Sequence, residues 1–126
     1  MFDIDLMSRI PIYEQLYRRV IELILKGVLS ENDKLPSVRN LATQLGVNPN
    51  TVAKAYSLLE RDNIIYSLAG RGSFITKPDV LIAQEHMLED FDISVTHALD
   101  VGISQETLKE RISKIANQIQ KGDNLS

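Results

Sequence analysis

Gly46-Val47-Asn48-Pro49 constrains this chain more than any other four residues, because it stops one helix and starts the next. Gly46 supplies the left-handed conformation that ends a helix. Asn48 can cap the following one, and Pro49, with no N–H to satisfy, suits its first position. Upstream, Val38, Leu41, Ala42 and Leu45 recur at i, i+3, i+4 and i+7, the stripe of a short helix lying on a core. Pro36 fits the start of that helix and Ser37 can cap its free amides. Downstream, Val52, Ala55, Tyr56 and Leu59 form a second stripe. Three residues between two helices, one of them glycine, is the spacing of a helix-turn-helix.

The second helix has a polar side as well. Turning about 100° per residue puts Asn50, Lys54, Ser57 and Arg61 opposite the apolar stripe, with Thr51 and Ala53 flanking. Amide, hydroxyl and cation led by a helix N-terminus can meet phosphates and base edges in a major groove. The same composition also describes an ordinary solvated face. Two β-branched and aromatic runs follow, Asn63 to Leu68 and Ser73 to Thr76, around Ala69-Gly70-Arg71-Gly72. They predict a hairpin whose two glycines allow positive φ and leave Arg71 projecting from the tip. Beside a helix-turn-helix, that arginine is placed to reach a phosphate or a minor groove.

Leu35-Pro36-Ser37-x-Arg39-x-Leu41-Ala42, Gly46-Val47-Asn48-Pro49-Asn50-Thr51-Val52, Ala55-Tyr56-x-x-Leu59-Glu60 and Gly70-Arg71-Gly72-Ser73-Phe74-Ile75 occur in this order. The string resembles the winged-helix domain of the GntR family of bacterial transcription regulators. The resemblance implies DNA contacts by Arg39, by the Asn48 to Thr51 turn and by the Gly70-Arg71-Gly72 wing. It also implies a small third strand from the residues before Pro36. Some relatives carry a basic residue where Pro49 and Ala53 stand, so base readout at these two positions is not carried over. The expected DNA-binding set is Ser37, Arg39, Asn48, Asn50, Thr51, Lys54, Gly70, Arg71 and Gly72, with double-stranded DNA as the partner.

A net charge of −3 is unpromising for a DNA binder until it is divided. Residues 1–77 hold 10 Lys and Arg against 8 Asp and Glu, whereas residues 78–126 hold 4 against 9. Within 34–77 the balance is 6 against 2, a cationic patch on an acidic molecule, and local potential governs phosphate binding. The chain has no cysteine, which excludes disulfides and thiolate metal sites and suits a cytoplasmic setting. No run approaches the roughly 18 apolar residues of a membrane span. The acidic start, Met1 to Asp5, lacks the basic flank of a signal peptide.

Pro11 opens a first long helix that runs to about Lys26 and is stopped by Gly27. Tyr13, Leu16, Tyr17, Val20, Ile21 and Ile24 form its buried stripe, while Arg18, Arg19 and Glu22 point outward. Val28 to Lys34 then reads as a connecting loop or a short strand.

Lys77-Pro78-Asp79 marks a boundary between residues 1–77, a winged helix-turn-helix domain, and residues 78–126, a two-helix tail. In the tail, Ile82 to Asp100 reads as one helix with Leu81, Leu88, Phe91, Val95, Ala98 and Leu99 recurring at threes and fours. Ser104 caps a second, Gln105 to Lys121, with a seam of Leu108, Ile112, Ile115 and Ile119. Two such helices cannot bury both stripes on each other alone, and a second copy of the same pair is the simplest cover. The expected homodimer contacts are Leu88, Phe91, Val95, Leu99, Leu108, Ile112, Ile115 and Ile119. A two-helix tail is similar to that of the short YtrA-type subgroup, which implies dimerisation through the tail and operons of ABC-type transporters. No effector fingerprint is present.

The overall expectation is a mainly α fold with a small β-hairpin wing, acting as a homodimeric DNA-binding transcription regulator, a repressor, on a pseudo-palindromic operator. The alternative is a winged helix used only for protein docking. An enzyme is not expected. The carboxylates show no acid–base pairing, no serine sits in a nucleophile elbow, and Gly70-Arg71-Gly72 is too short for a nucleotide loop. No cofactor or metal is expected. His86 and His97 would stand about 16 Å apart on one helix, too far to share an ion, and read as solvated side chains.

Overall fold

A computed structural model describes residues 1–125, with side-chain surroundings through residue 122. The first helix, α1 (Ile12–Leu25), starts after Pro11, whose φ of −55° and ψ of 146° deliver the chain without a side-chain cap. Leu16, Val20, Ile21 and Leu23 are buried, and Tyr13, Tyr17 and Ile24 pack at the margin of the core. Leu23 lies outside the stripe read from periodicity. It is buried because the chain turns back at Gly27, so that Val28 and Leu29 donate to the Leu23 carbonyl and Leu29 joins the core. Arg18, Arg19 and Lys26 hold Glu14 and Glu22 in surface ion pairs of 3.2–3.3 Å.

The two short helices form as their caps dictate. In α2 (Val38–Leu45), the Asn40 amide donates to Ser37 Oγ, and Gly46 closes the helix at φ 70°. In α3 (Pro49–Arg61), the Asn50 amide donates to Asn48 Oδ1 at 2.8 Å, with Pro49 in the first turn. The buried side of α3 is Val52, Ala55, Tyr56 and Leu59, and it receives both α1 and α2. Tyr56 ties the pair together, its hydroxyl donating to the Pro36 carbonyl at 2.6 Å. Burial pushes the Tyr56 pKa up to about 12.

Asn63, at φ 58°, turns the chain into an antiparallel hairpin of β1 (Ile65–Leu68) and β2 (Gly72–Ile75). The register pairs Ile65 with Ile75 and Leu68 with Gly72. The hairpin starts two residues later than predicted because Asn63 and Ile64 complete the turn off α3, where the Ile64 amide donates to Leu59. The third strand is present as one bridge, Lys34 to Phe74, framed by Leu35 N–H to the Ser73 carbonyl and Ile75 N–H to the Asp33 carbonyl. Leu16, Val20, Leu35, Leu41, Val52, Leu59, Ile65 and Ile75, all nearly inaccessible, make the core under this arrangement, joined by Phe2.

Asp79 accepts the Leu81 and Ile82 amides and caps α4 (Val80–Asp100), so the helix begins two residues before the predicted Ile82. Gly102 turns at φ 96°, and Ser104 Oγ accepts the Thr107 amide at the start of α5 (Gln105–Leu125). The second tail helix passes the predicted end at Lys121, since Gly122 lowers helix propensity without stopping a helix. Two compact units result, Met1–Met87 and the chain from Leu88 onward, with the division inside α4. No residue of α4 is buried, and none from Val101 to Gly122 is. Leu88, Phe91, Leu99, Ile112, Ile115 and Ile119 are all exposed.

The solvated reading of His86 is corrected. Its ring is partly buried and meets Tyr17 edge-on, centroids 5.9 Å apart, because the first turns of α4 belong to the first unit. His97 is exposed. Among the described residues, no three His, Asp or Glu side chains are grouped to hold a metal, and no helix is long and apolar enough to cross a membrane.

Candidate nucleic-acid interface

Burial assigns α3 its two sides. Val52, Ala55, Tyr56 and Leu59 are inside, while Asn50, Lys54, Ser57 and Arg61 are exposed and Thr51 and Ala53 are half-buried. The helix is therefore anchored entirely by one face, and its first two turns offer amide, hydroxyl and ammonium groups to solvent. Asn48 is exposed, but its side-chain oxygen is committed to capping Asn50. Ser37 is likewise exposed with its hydroxyl accepting from Asn40, so each residue contributes position as well as polarity.

Lys54 does not extend freely. Its ammonium sits 3.9 Å from the centroid of the Tyr13 ring, a cation–π seat supplied by α1. In the sequence Tyr13 reads only as part of the buried stripe of the first helix. Nothing in the periodicity of either helix signals the pair, which arises because α1 crosses α3 at that turn. Arg39, in the first turn of α2, is exposed and makes no ion pair among the described residues.

At the wing, Leu68 accepts from the Arg71 amide at 2.9 Å, closing a three-residue tip. Gly70 at φ 75° and Gly72 at φ 116° both need glycine's freedom. Arg71 is exposed at the tip. The structure gathers Ser37, Gly70, Arg71 and Gly72 around one cleft of about 420 Å³, together with Lys34, Ser67 and Ser73. Asn48, Asn50, Thr51 and Lys54 lie outside this cleft, on α3 and its cap. Sequence alone does not single out Lys34 as a site residue, since Val28 to Lys34 reads as a connecting loop or a short strand. Its bridge to Phe74 brings it to the wing.

Electrostatics near the far end of α3 are local. Asp62 follows the helix and is held below the usual carboxylate range, first by the Tyr17 hydroxyl donating at 2.6 Å. Burial opposes this shift, and Arg61 adds to it.

The model of bacterial regulatory proteins of the gntR family matches residues 12–75, the span from α1 through the wing. The chain is 42% identical to the HTH-type transcriptional repressor YtrA of Bacillus subtilis, over 97% of both chains. A GntR family transcriptional regulator from Listeria monocytogenes superposes with a TM-score of 0.75 at 31% identity, covering 88% of this chain and 98% of that one. AraR's DNA-binding domain, in complex with operator ORX1, matches at a TM-score of 0.52 and 28% identity, over 59% of this chain and 92% of that one. The first two of these relatives are a transcriptional repressor and a transcriptional regulator, and the third is bound to an operator. With the family model over half the chain and a full-length relative above 40% identity, the chain belongs to the gntR family of bacterial regulatory proteins and is a DNA-binding transcription regulator.

Proposed function

We propose that this chain is a cytoplasmic repressor that binds a pseudo-palindromic operator as a homodimer. Residues 1–77 read the DNA and residues 78–126 hold the dimer. The observation that carries the reading is the two-sided α3, whose whole apolar stripe is buried while Asn50 and Lys54 face outward. In this reading Asn48, Asn50, Thr51 and Lys54 enter a major groove, and Arg39 fixes the helix-turn-helix on the flanking backbone. Ser37 and the Gly70-Arg71-Gly72 wing grip the adjacent strand. The operator complex of the related AraR domain supports duplex DNA as the ligand.

Dimerisation rests on the seams of the second unit, Leu88, Phe91, Val95 and Leu99 on α4 and Leu108, Ile112, Ile115 and Ile119 on α5, of which Val95 and Leu108 are half-buried and the rest exposed. Apolar stripes this long are covered when a second copy supplies the same surface. The YtrA-type resemblance makes an operon for an ABC-type transporter the expected target.

Selection of bound duplexes from a random pool tests the reading directly. The expected product is an inverted repeat. Arg39→Ala and Arg71→Ala should each weaken binding to it, lower the salt dependence by about one unit of slope, and leave the dimer intact. Recovery of no duplex, or wild-type binding indifferent to salt, refutes the proposal.

A further inference from the structure

The seam between the third strand and the wing holds a cation that the DNA-binding reading does not use. Lys34 pairs with Phe74, so the two side chains stand on the same face of the small sheet. Gly72 is two residues from Phe74 and is the diagonal neighbour of Lys34 on that face. A side chain at position 72 would occupy the path along which Lys34 runs. A Cβ placed on Gly72 would lie 3.0 Å from Lys34 Cε and 3.9 Å from its Nζ. The missing side chain thus lets the lysine stem run over the strand toward the wing tip and Arg71.

The cleft they share with Ser37 contains no carboxylate. Its lining residues are Lys34 and Arg71, three serines, apolar residues and two glycines. Neither Lys34 nor Arg71 has an ion pair among the described residues. Two unneutralised cations at one opening suit an oxyanion. The opening lies along the junction of strand and helix start, and this suits a segment of polyanionic backbone.

We propose that Lys34 is a DNA-backbone contact, and that Lys34 and Arg71 clamp one phosphodiester between the third strand and the wing tip. The proposal rests on the DNA-binding reading and adds a residue and a subsite to it. Gly72 then has two roles, the φ of 116° that closes the hairpin and the clearance that admits the Lys34 stem.

Phosphate contacts carry no sequence information, so the test needs no operator. Binding of the full chain to a mixed-sequence duplex of about three helical turns is followed by anisotropy over a salt series. Lys34→Ala should lower the slope of log affinity against log salt by about 0.9, which extrapolated from 1 M gives about eightfold weaker binding at about 0.1 M salt. Lys34→Arg should restore both. Gly72→Ala should weaken binding, and should do so less in a Lys34→Ala background, where the stem is gone. Free inorganic phosphate at constant ionic strength should leave the Lys34-dependent part unchanged. Displacement of that part by phosphate would overturn the duplex assignment in favour of a free-phosphate site. A wild-type slope in Lys34→Ala, with Arg71→Ala still lowering it, would overturn the clamp while leaving the DNA reading intact. Failure of the wild type to bind any duplex would overturn both. Unchanged thermal unfolding of Lys34→Ala shows that the loss is one of contact.

Discussion

Replacing Ile112 and Ile115 together by alanine should dissociate the proposed dimer without disturbing the protomer. Both side chains belong to the α5 seam and retain 50% and 47% of their exposure in the single chain. Fully burying an isoleucine is worth about 1.5–3 kcal/mol, so covering the remaining half contributes about 1 kcal/mol per side chain. A two-fold interface contains each substitution twice. Four truncated side chains then remove about 4 kcal/mol, roughly a thousandfold in the dimer dissociation constant. Alanine exceeds isoleucine in helix propensity, so α5 itself should not weaken. Sedimentation equilibrium over a wide concentration range measures the constant, and far-UV circular dichroism checks the helix. An unchanged constant in the variant, or a wild type that stays monomeric at high concentration, would refute the assignment of this seam.

Three further outcomes follow from the first unit. Asn48→Ala removes the cap on the Asn50 amide and should cost about 1 kcal/mol in urea unfolding; an unchanged midpoint would mean that the cap is not stabilising. Tyr13→Leu should uncouple Lys54 from α1 where Tyr13→Phe does not. A double-mutant cycle with Lys54→Gln should give about 0.5–1 kcal/mol, and a cycle near zero would dismiss the ring contact. Tyr17→Phe removes the largest influence depressing the Asp62 pKa. A depressed carboxylate contributes stability above its unfolded pKa and loses it as pH falls through the folded value. The wild-type advantage, about 1 kcal/mol at neutral pH, should therefore shrink below about pH 4 in acid unfolding, and a constant gap would contradict this.

The parts of the fold that could be read in advance are those written in adjacent residues. Ser37, Gly46, Asn48 and Pro49 act on amides within a turn of themselves, so their effects are local and the two short helices begin and end where the caps stand. The polar side of α3 follows from angle alone once the buried stripe is known. Contacts made across the fold left no such trace. Phe2 and Leu29 enter the core from segments without periodicity, and Leu23 is covered by the chain returning from Gly27. The Lys54–Tyr13 and His86–Tyr17 pairs depend on which turns of neighbouring helices coincide. At Lys34 the residues leave loop and short strand both open, because a strand reduced to one bridge has no alternation to show. Pattern alone located the tail helices and the apolar surface they leave uncovered within one chain, but periodicity reports a face and not its partner.

The division of labour within α3 bears on how such a regulator diverges. Every buried contact of that helix comes from Val52, Ala55, Tyr56 and Leu59, and its cap from Asn48. The Asn50 side chain takes part in neither role, Lys54 only through its seat on the Tyr13 ring, and Thr51 only at the margin. Under the proposed mode of DNA binding, target preference and folding are encoded in interleaved and largely separate letters of one short segment. A descendant could exchange the outward letters and acquire a new site in the genome while its melting behaviour changes only by what the Lys54–Tyr13 contact contributes.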